Sequence, residues 1–212
     1  MAQYFSVHPL TPQPRLIRRS VDILRGGGVI VYPTDTSYAL GCCLDSKDGL
    51  ERIRRIRQLD EQHNFTLICK DLSQIATFAK IDNEAFRLIK SLTPGPFTFI
   101  LKATRETPRR LQHPKKKTIG VRLPDNPITV ALLEELAEPL FNSTLILPGD
   151  EDPIADPEDI RDRLEKEVSL IIDAGIMTYR PSTILDFTED SPEIIRQGTG
   201  IVPFLNPVDN TD

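Results

Sequence analysis

Four small polar residues in a row, Thr34, Asp35, Thr36 and Ser37, form a group with the means to do chemistry. Three hydroxyls, a carboxylate and the backbone N–H groups of a turn can hold a carboxylate, a phosphate or a small hydroxylated substrate. Their position supports that use. Val29, Ile30 and Val31 are β-branched and uninterrupted, which is the pattern of a short buried strand. Pro33 has no N–H to give a ladder and stops it. The polar run therefore follows the carboxyl end of a core strand, where open α/β sheets place ligands. The same residues also read as a plain polar turn, with side chains bonded to their own backbone, and composition by itself favours that reading.

Positive charge is the second chemical feature. Arg15, Arg18, Arg19 and Arg25 fall in a first predicted helix and Arg52, Arg54, Arg55 and Arg57 in a second, while Arg109, Arg110, Lys115, Lys116 and Lys117 flank a proline-containing loop. Acidic residues gather between Asp150 and Glu167. A net charge of -5 argues against indiscriminate polyanion binding, yet a chain acidic overall can carry one basic face. Arg52, Arg54 and Arg55 with Lys115, Lys116 and Lys117 are the candidate contacts to an RNA backbone; solvated helix faces are the equal alternative for any single cluster. His8, His63 and His113 are scattered without ligand spacing, so no tightly bound metal is expected. Cys42, Cys43 and Cys69 are odd in number with two adjacent, which suggests buried thiols in a reducing, cytoplasmic setting.

These groups must be positioned by the elements between them. The chain has 212 residues, 39% hydrophobic and 27% charged, the profile of a soluble globular protein. No apolar run approaches the ~20 residues that span a bilayer, and no membrane partner is expected. Leu16, Ile17, Val21, Ile23 and Leu24 repeat at helical spacing before the glycines at 26–28. Ala39–Leu44 reads as a second strand, and Leu50, Ile53 and Ile56 as the core face of the next helix. A polar loop spans 60–64. Strands are expected over 65–70, 97–102, 118–123, 139–147, 168–172, 182–187 and 193–196, with Phe97, Phe99 and Leu101 on one face. Short helices are expected around Ile75 and Ile89. Asn126-Pro127 and Asp156-Pro157 look like helix caps with proline at the first helical position. Tyr4–Val7 is an edge strand or an arm. Strands alternate with helices, so the class is α/β with a twisted mixed sheet, in a single domain over 1–212 with a core at 10–200 and terminal segments at 1–9 and 201–212.

Several separated stretches resemble one family. They are the Tyr-Pro-Thr-Asp-Thr-Ser-Tyr-Ala-Leu-Gly run from Tyr32, Thr-Pro-Gly-Pro-Phe-Thr-Phe from Thr93, and Ile-Gly-Val-Arg-Leu-Pro from Ile119. Ser143-Thr144 before Pro148-Gly149, Pro-Ser-Thr-Ile-Leu-Asp from Pro181, and Arg196-Gln197-Gly198 complete the set in order. Together they are similar to the YrdC-like family of threonylcarbamoyl-AMP synthases, and Arg57-Gln58-Leu59 with His63-Asn64-Phe65-Thr66-Leu67 resembles its YciO subgroup. The resemblance implies a twisted open mixed sheet with helices around a large concave, positively lined cavity. It implies a reaction, L-threonine, bicarbonate and ATP giving threonylcarbamoyl-AMP and diphosphate, for N6-threonylcarbamoylation of a tRNA adenosine. ATP with Mg²⁺, and double-stranded RNA or tRNA, are the implied cofactor and partners. Carried over, Thr34, Thr36 and Arg122 would bind the amino-acid substrate, and Arg57, Thr144, Ser182 and Arg196 the nucleotide.

The chain departs from that pattern at two places. Synthases carry Lys-x-Arg after the second helix, where this chain has Arg57-Gln58-Leu59. They carry Ser-x-Asn where it has Thr144-Leu145-Ile146. One cation changes form, the other becomes apolar, and an amide is lost. Because nucleotidyl transfer depends on positioned charge, the expectation is a related protein with weak or altered synthase activity. A non-catalytic RNA-binding factor of translation or the ribosome, and a fully active synthase, are the alternatives.

Overall fold

A computed structural model describes residues 1–60, 63, 65–189 and 191–203. The expected 60–64 loop therefore lies partly outside the described residues, and the terminal segment at 201–212 lies outside them beyond 203. The strands are β1 (Gln3–Ser6), β2 (Ile30–Pro33), β3 (Tyr38–Cys43), β4 (Thr66–Ile68), β5 (Phe97–Lys102), β6 (Thr118–Arg122), β7 (Leu140–Thr144), β8 (Leu170–Asp173), β9 (Thr183–Asp186) and β10 (Glu193–Arg196). The helices are α1 (Pro14–Arg25), α2 (Lys47–Arg57), α3 (Leu72–Phe78), α4 (Asn83–Leu92), α5 (Pro127–Leu136) and α6 (Pro157–Leu164). The strands form one mixed sheet in the order β1-β8-β2-β3-β7-β4-β6-β5-β9-β10.

Side-chain alternation along the strands decides which helix covers which face. Ile30, Tyr32, Ala39 and Cys43 pack with Ile17, Val21 and Leu24 of α1 and Ile128, Leu132 and Leu136 of α5. Their strand neighbours Val29, Val31, Tyr38, Leu40 and Cys42 pack with Leu50 and Ile53 of α2, Ile75 of α3, Ile89 of α4 and Ile160 of α6. Two hydrophobic layers thus enclose the sheet. In β5, Phe97, Phe99 and Leu101 join the second layer, and Thr98 and Ile100 on the other face are buried as well. Tyr4–Val7 holds an edge strand, with β1 parallel to β8. The strand expected over 139–147 is shorter, Leu140–Thr144; Leu145 still gives its N–H to the Tyr38 carbonyl of β3 at 3.0 Å, and the chain then turns, with the Ile146 N–H on the Thr144 carbonyl at 3.0 Å.

The caps are local and legible. Asn126 accepts from Ile128 and Thr129 N–H at 3.0 and 3.1 Å, Asp156 from Glu158 N–H at 2.9 Å and Ser46 from Gly49 N–H at 3.1 Å. The three cysteines are free and buried; burial pushes the Cys42 thiol up to about 12 and Cys43 to about 11, so neither is a thiolate at neutral pH. Among the described residues no helix is long and apolar enough to cross a membrane.

Gly41 shows how tightly the centre of the sheet is filled. A Cβ there would stand 2.7 Å from the Tyr32 ring, 3.0 Å from Leu140 and 3.1 Å from the Phe141 carbonyl oxygen. Gly41→Ala is expected to cost about 1–3 kcal/mol by overpacking, read as a fall in the thermal midpoint. An unchanged midpoint would show that Tyr32 has room to move.

Candidate functional site

β2 ends on Pro33 and the chain turns back as β3 at Tyr38, an antiparallel pair in register from Ile30 opposite Gly41 to Pro33 opposite Tyr38. The turn between them is held from within by Thr34. Its hydroxyl donates to the Ser37 carbonyl at 2.8 Å, accepts from the N–H groups of Thr36 and Ser37 at 3.2 Å each, and lies 3.1 Å from the Thr36 hydroxyl. α5 holds it from one side: Thr129 donates to the Pro33 carbonyl at 2.6 Å, and the Asn126 amide to the Thr34 carbonyl at 3.2 Å. Arg180 gives its backbone N–H to the Thr36 carbonyl at 2.9 Å from the loop after β8.

Arg122, at the end of β6, reaches the same turn. It donates to Asp35 Oδ1 at 2.6 Å and to the Thr36 hydroxyl at 3.1 Å. Both charged side chains are buried, Arg122 at 5% and Asp35 at 7% exposure. Arg122 Nε and Asp35 Oδ2 are buried and bond to nothing among the described residues. The pair is therefore tight but incompletely satisfied.

A cavity of about 200 Å³ opens beside this turn, below the ~300–1,000 Å³ of most small-molecule pockets. Thr36, Ser37, Arg57, Arg122, Thr144, Ser182 and Arg196 border it. Six of the seven expected substrate and nucleotide residues therefore meet there, from stretches scattered over the chain. Thr34 is the exception: it does not border the cavity, and at 1% exposure, with its hydroxyl spent on the turn, it sits behind Thr36.

The other cavity groups are anchored by their own bonds. Arg57, the last residue of α2, donates to the Thr144 carbonyl at 2.5 Å and the Ile146 carbonyl at 2.7 Å, and its buried Nε has no partner among the described residues. Burial lowers its pKa. Leu59 packs against the hydrophobic core instead of facing the hollow. Arg196 donates from Nε and a terminal nitrogen to the Ser182 carbonyl at 3.1 and 2.8 Å and to the Ser182 hydroxyl at 3.1 Å. Burial and then the nearby Arg122 charge lower its pKa. Ser182 also lies 2.9 Å from the Thr98 hydroxyl, which ties this edge to β5.

Five lining residues were not singled out from sequence for this site: Asn142, Ser143, Thr66, His63 and Tyr179. The fully buried Tyr32 donates to Asn142 Oδ1 at 2.7 Å; burial raises the phenol pKa so far that it stays protonated. The Ser143 hydroxyl is buried and bonds to nothing among the described residues. Burial first, and the Arg57 charge after it, hold the His63 imidazole below its ordinary range, so it is uncharged at neutral pH. Asn142 and Ser143 did leave a signal: with Thr144 they make three polar residues in a row after the apolar Leu140 and Phe141. His63 and Thr66 fall in the His63–Leu67 stretch that carries the family resemblance, and Tyr179 left no signal.

The basic helix face is less available than expected. Arg54 lies over the Phe65 ring at 4.9 Å and 3.6 Å from Glu51, while Arg55 pairs with Glu167 at 3.2 Å. Arg52 is half-buried. Lys115, Lys116 and Lys117 are exposed. No group of three or more His, Cys, Asp or Glu with metal-binding geometry occurs among the described residues.

Comparison with known proteins places this geometry. The family model Sua5_yciO_yrdC, described as "Telomere recombination", matches residues 22–198. YciO of Escherichia coli K12 is 56% identical over 206 residues, 97% of this chain and 100% of that protein, and its crystal structure superposes with a TM-score of 0.92 over 96% of this chain and 98% of that one. A threonylcarbamoyl-AMP synthase of Coxiella burnetii is 32% identical over 80% of this chain and 91% of its own length. The crystal structure of P. abyssi Sua5 complexed with L-threonine matches with a TM-score of 0.84 at 25% identity, over 92% of this chain and 57% of that one.

The buried Arg122–Asp35 pair predicts a specific fragility. Asp35→Ala leaves a guanidinium inside the protein without its carboxylate, and the expected loss is about 3–5 kcal/mol, measured by chemical denaturation. A loss below about 1 kcal/mol, the range of surface pairs, would mean that the pair does not hold the turn.

Proposed function

The chain belongs to the Sua5/YciO/YrdC family, and from that premise we propose that its cavity binds a nucleotide beside a small amino-acid substrate, in a reaction related to the synthesis of threonylcarbamoyl-AMP from L-threonine, bicarbonate and ATP, with weak or altered turnover. The carrying observation is convergence. Three guanidinium groups, Arg57, Arg122 and Arg196, and the hydroxyls of Thr36, Thr144 and Ser182 border one hollow. Guanidinium groups suit carboxylate and phosphate oxygens because their forked donors match both. Arg122 with Thr36 and Ser37 would take the amino-acid carboxylate and hydroxyl. Thr144, Ser182 and Arg196 would take the nucleotide, with Arg57 toward its phosphates. No carboxylate lines the cavity among the described residues. A Mg²⁺ accompanying ATP would therefore be held by phosphate oxygens and water, its usual mode beside phosphates.

The weakened turnover rests on what Arg57 does. A donor that stabilises developing charge must be free to meet it. Here one nitrogen of Arg57 bridges two carbonyls at the end of β7, and Leu59 offers no second cation. The same commitment favours a second reading, an RNA-binding protein of translation that keeps the cavity for ligand and not for turnover. In both readings the partner is double-stranded RNA or tRNA.

Two measurements test the proposal. ATP is expected to raise the thermal midpoint of the protein, and Arg196→Gln to remove most of that rise; an equal rise in the variant overturns the nucleotide assignment. Purified protein is expected to form threonylcarbamoyl-AMP about 10²–10³-fold more slowly than a relative with Lys-x-Arg intact, the usual cost of a lost charge-stabilising donor. Equal rates would overturn the altered turnover.

A further inference from the structure

We infer that the groove at the far end of the β5–β6 hairpin, lined by Lys80, Arg105, Arg109 and Lys117, is the surface on which this protein seats the sugar–phosphate backbone of an RNA duplex. The inference rests on the RNA reading above and gives it a place that is neither the cavity nor the α2 face.

The cavity is excluded by size, since about 200 Å³ takes a small molecule and not a duplex. The α2 face is excluded by compensation, since Glu51 and Glu167 sit against Arg54 and Arg55. The groove has neither defect. It is open, about 730 Å³, and shares no lining residue with the cavity. Four of its lining residues are cations, the other three are Ala103, Thr104 and Gln112, and none is acidic. Among the described residues no ion pair engages Lys80, Arg105, Arg109 or Lys117. Lys115 and Lys116 are exposed and adjoin Lys117 in sequence. Asp82 and Glu189 line the next hollow with Lys80, and so bound the basic strip on that side.

The groove is also preorganised. Lys80 gives its N–H to the Lys102 carbonyl at 2.7 Å and Thr104 to the Phe78 carbonyl at 2.9 Å, so the loop after β5 is laid against the end of α3. The Thr104 hydroxyl donates to the Thr77 carbonyl at 2.6 Å, Thr107 to the Phe78 carbonyl, and the Gln112 amide to the Thr107 carbonyl at 2.7 Å. Arg110 is pinned to the Leu44 carbonyl, which anchors the 3₁₀ turn Arg109–Leu111 that carries Arg109. Cations on a fixed frame lose less freedom when they bind.

The chemistry favours phosphodiester over other polyanion surfaces. A membrane surface or an apolar protein anchor needs exposed aromatic or aliphatic side chains beside the basic ones. The large exposed apolar residues, among them Leu10, Phe86, Val130, Ile176 and Ile195, lie outside the groove. What the groove presents is charge with amide and hydroxyl groups, the composition that contacts backbone oxygens without reading sequence.

The test measures RNA-duplex affinity across a salt series for the full chain, for Lys80→Gln/Arg105→Gln/Arg109→Gln/Lys117→Gln, and for a control Arg52→Gln/Arg55→Gln. Circular dichroism and thermal midpoint verify folding. The quadruple variant is expected to bind at least about 10-fold more weakly at low salt and to lose about 0.9 from the log–log salt slope for each phosphate contact removed, with ATP-induced stabilisation intact and the control unchanged. Binding that survives the quadruple variant, or falls only in the control, overturns the groove and leaves the RNA reading standing. No salt-sensitive binding by the unsubstituted protein overturns both. Equal capture of anionic vesicles or an acidic peptide by the groove would assign it to those polyanions and overturn the RNA assignment.

Discussion

The buried contact between Arg122 and Asp35 is the constraint around which the rest of the site is arranged. Withdrawing two opposite charges from water costs several kcal/mol for each ion, and only close, oriented contact offsets it. At 2.6 Å, with the Thr36 hydroxyl taking a further guanidinium donor, the contact is close enough to tie β6 to the turn between β2 and β3. The two strands are not neighbours in the sheet: β3, β7 and β4 lie between them. The pair therefore clamps across the sheet, and the cavity opens in the space that the clamp spans.

Every other element at the site limits freedom that this contact leaves. Thr34 fixes the turn from inside, Asn126 and Thr129 fix it from α5, and the Arg180 N–H fixes it from the loop after β8. A turn held on so many sides presents Thr36 and Ser37 in one geometry, which is what preorganised recognition requires. Tyr32 does the same for Asn142 and Ser182 for Arg196. Arg57 differs because it serves two ends at once, closing the end of β7 with its donors while bordering the hollow.

Charge is distributed by the same logic. An acidic chain has no general attraction for polyanions, so basic function must be local. Helix α2 looks basic in one dimension but is neutralised in three by Glu51 and Glu167. The loop beyond β5 is already basic in sequence, and hydrogen bonds that lay it against the end of α3 set Lys80, Arg105, Arg109 and Lys117 around one groove. The cavity and this groove are separate, sharing no lining residue, the one about 200 Å³ and the other about 730 Å³.

The sequence by itself determined the elements, because their signals are local. β-branched runs made the strands, a three-to-four residue stripe placed Leu50, Ile53 and Ile56 inward, and Asn126-Pro127 and Asp156-Pro157 set the caps at short range. The ordered motifs also identified the family and the gathering of Thr36, Arg57, Arg122, Thr144, Ser182 and Arg196. The tertiary structure alone decided the rest: that Thr34 braces the turn instead of lining the hollow, that His63, Thr66 and Tyr179 join it, that Arg54 and Arg55 meet carboxylates, and that Leu59 enters the core. The physical reason is range. Capping and periodicity act within a few residues, whereas burial and ion pairing depend on which distant segments the sheet order brings together, and that order is not written in any one stretch.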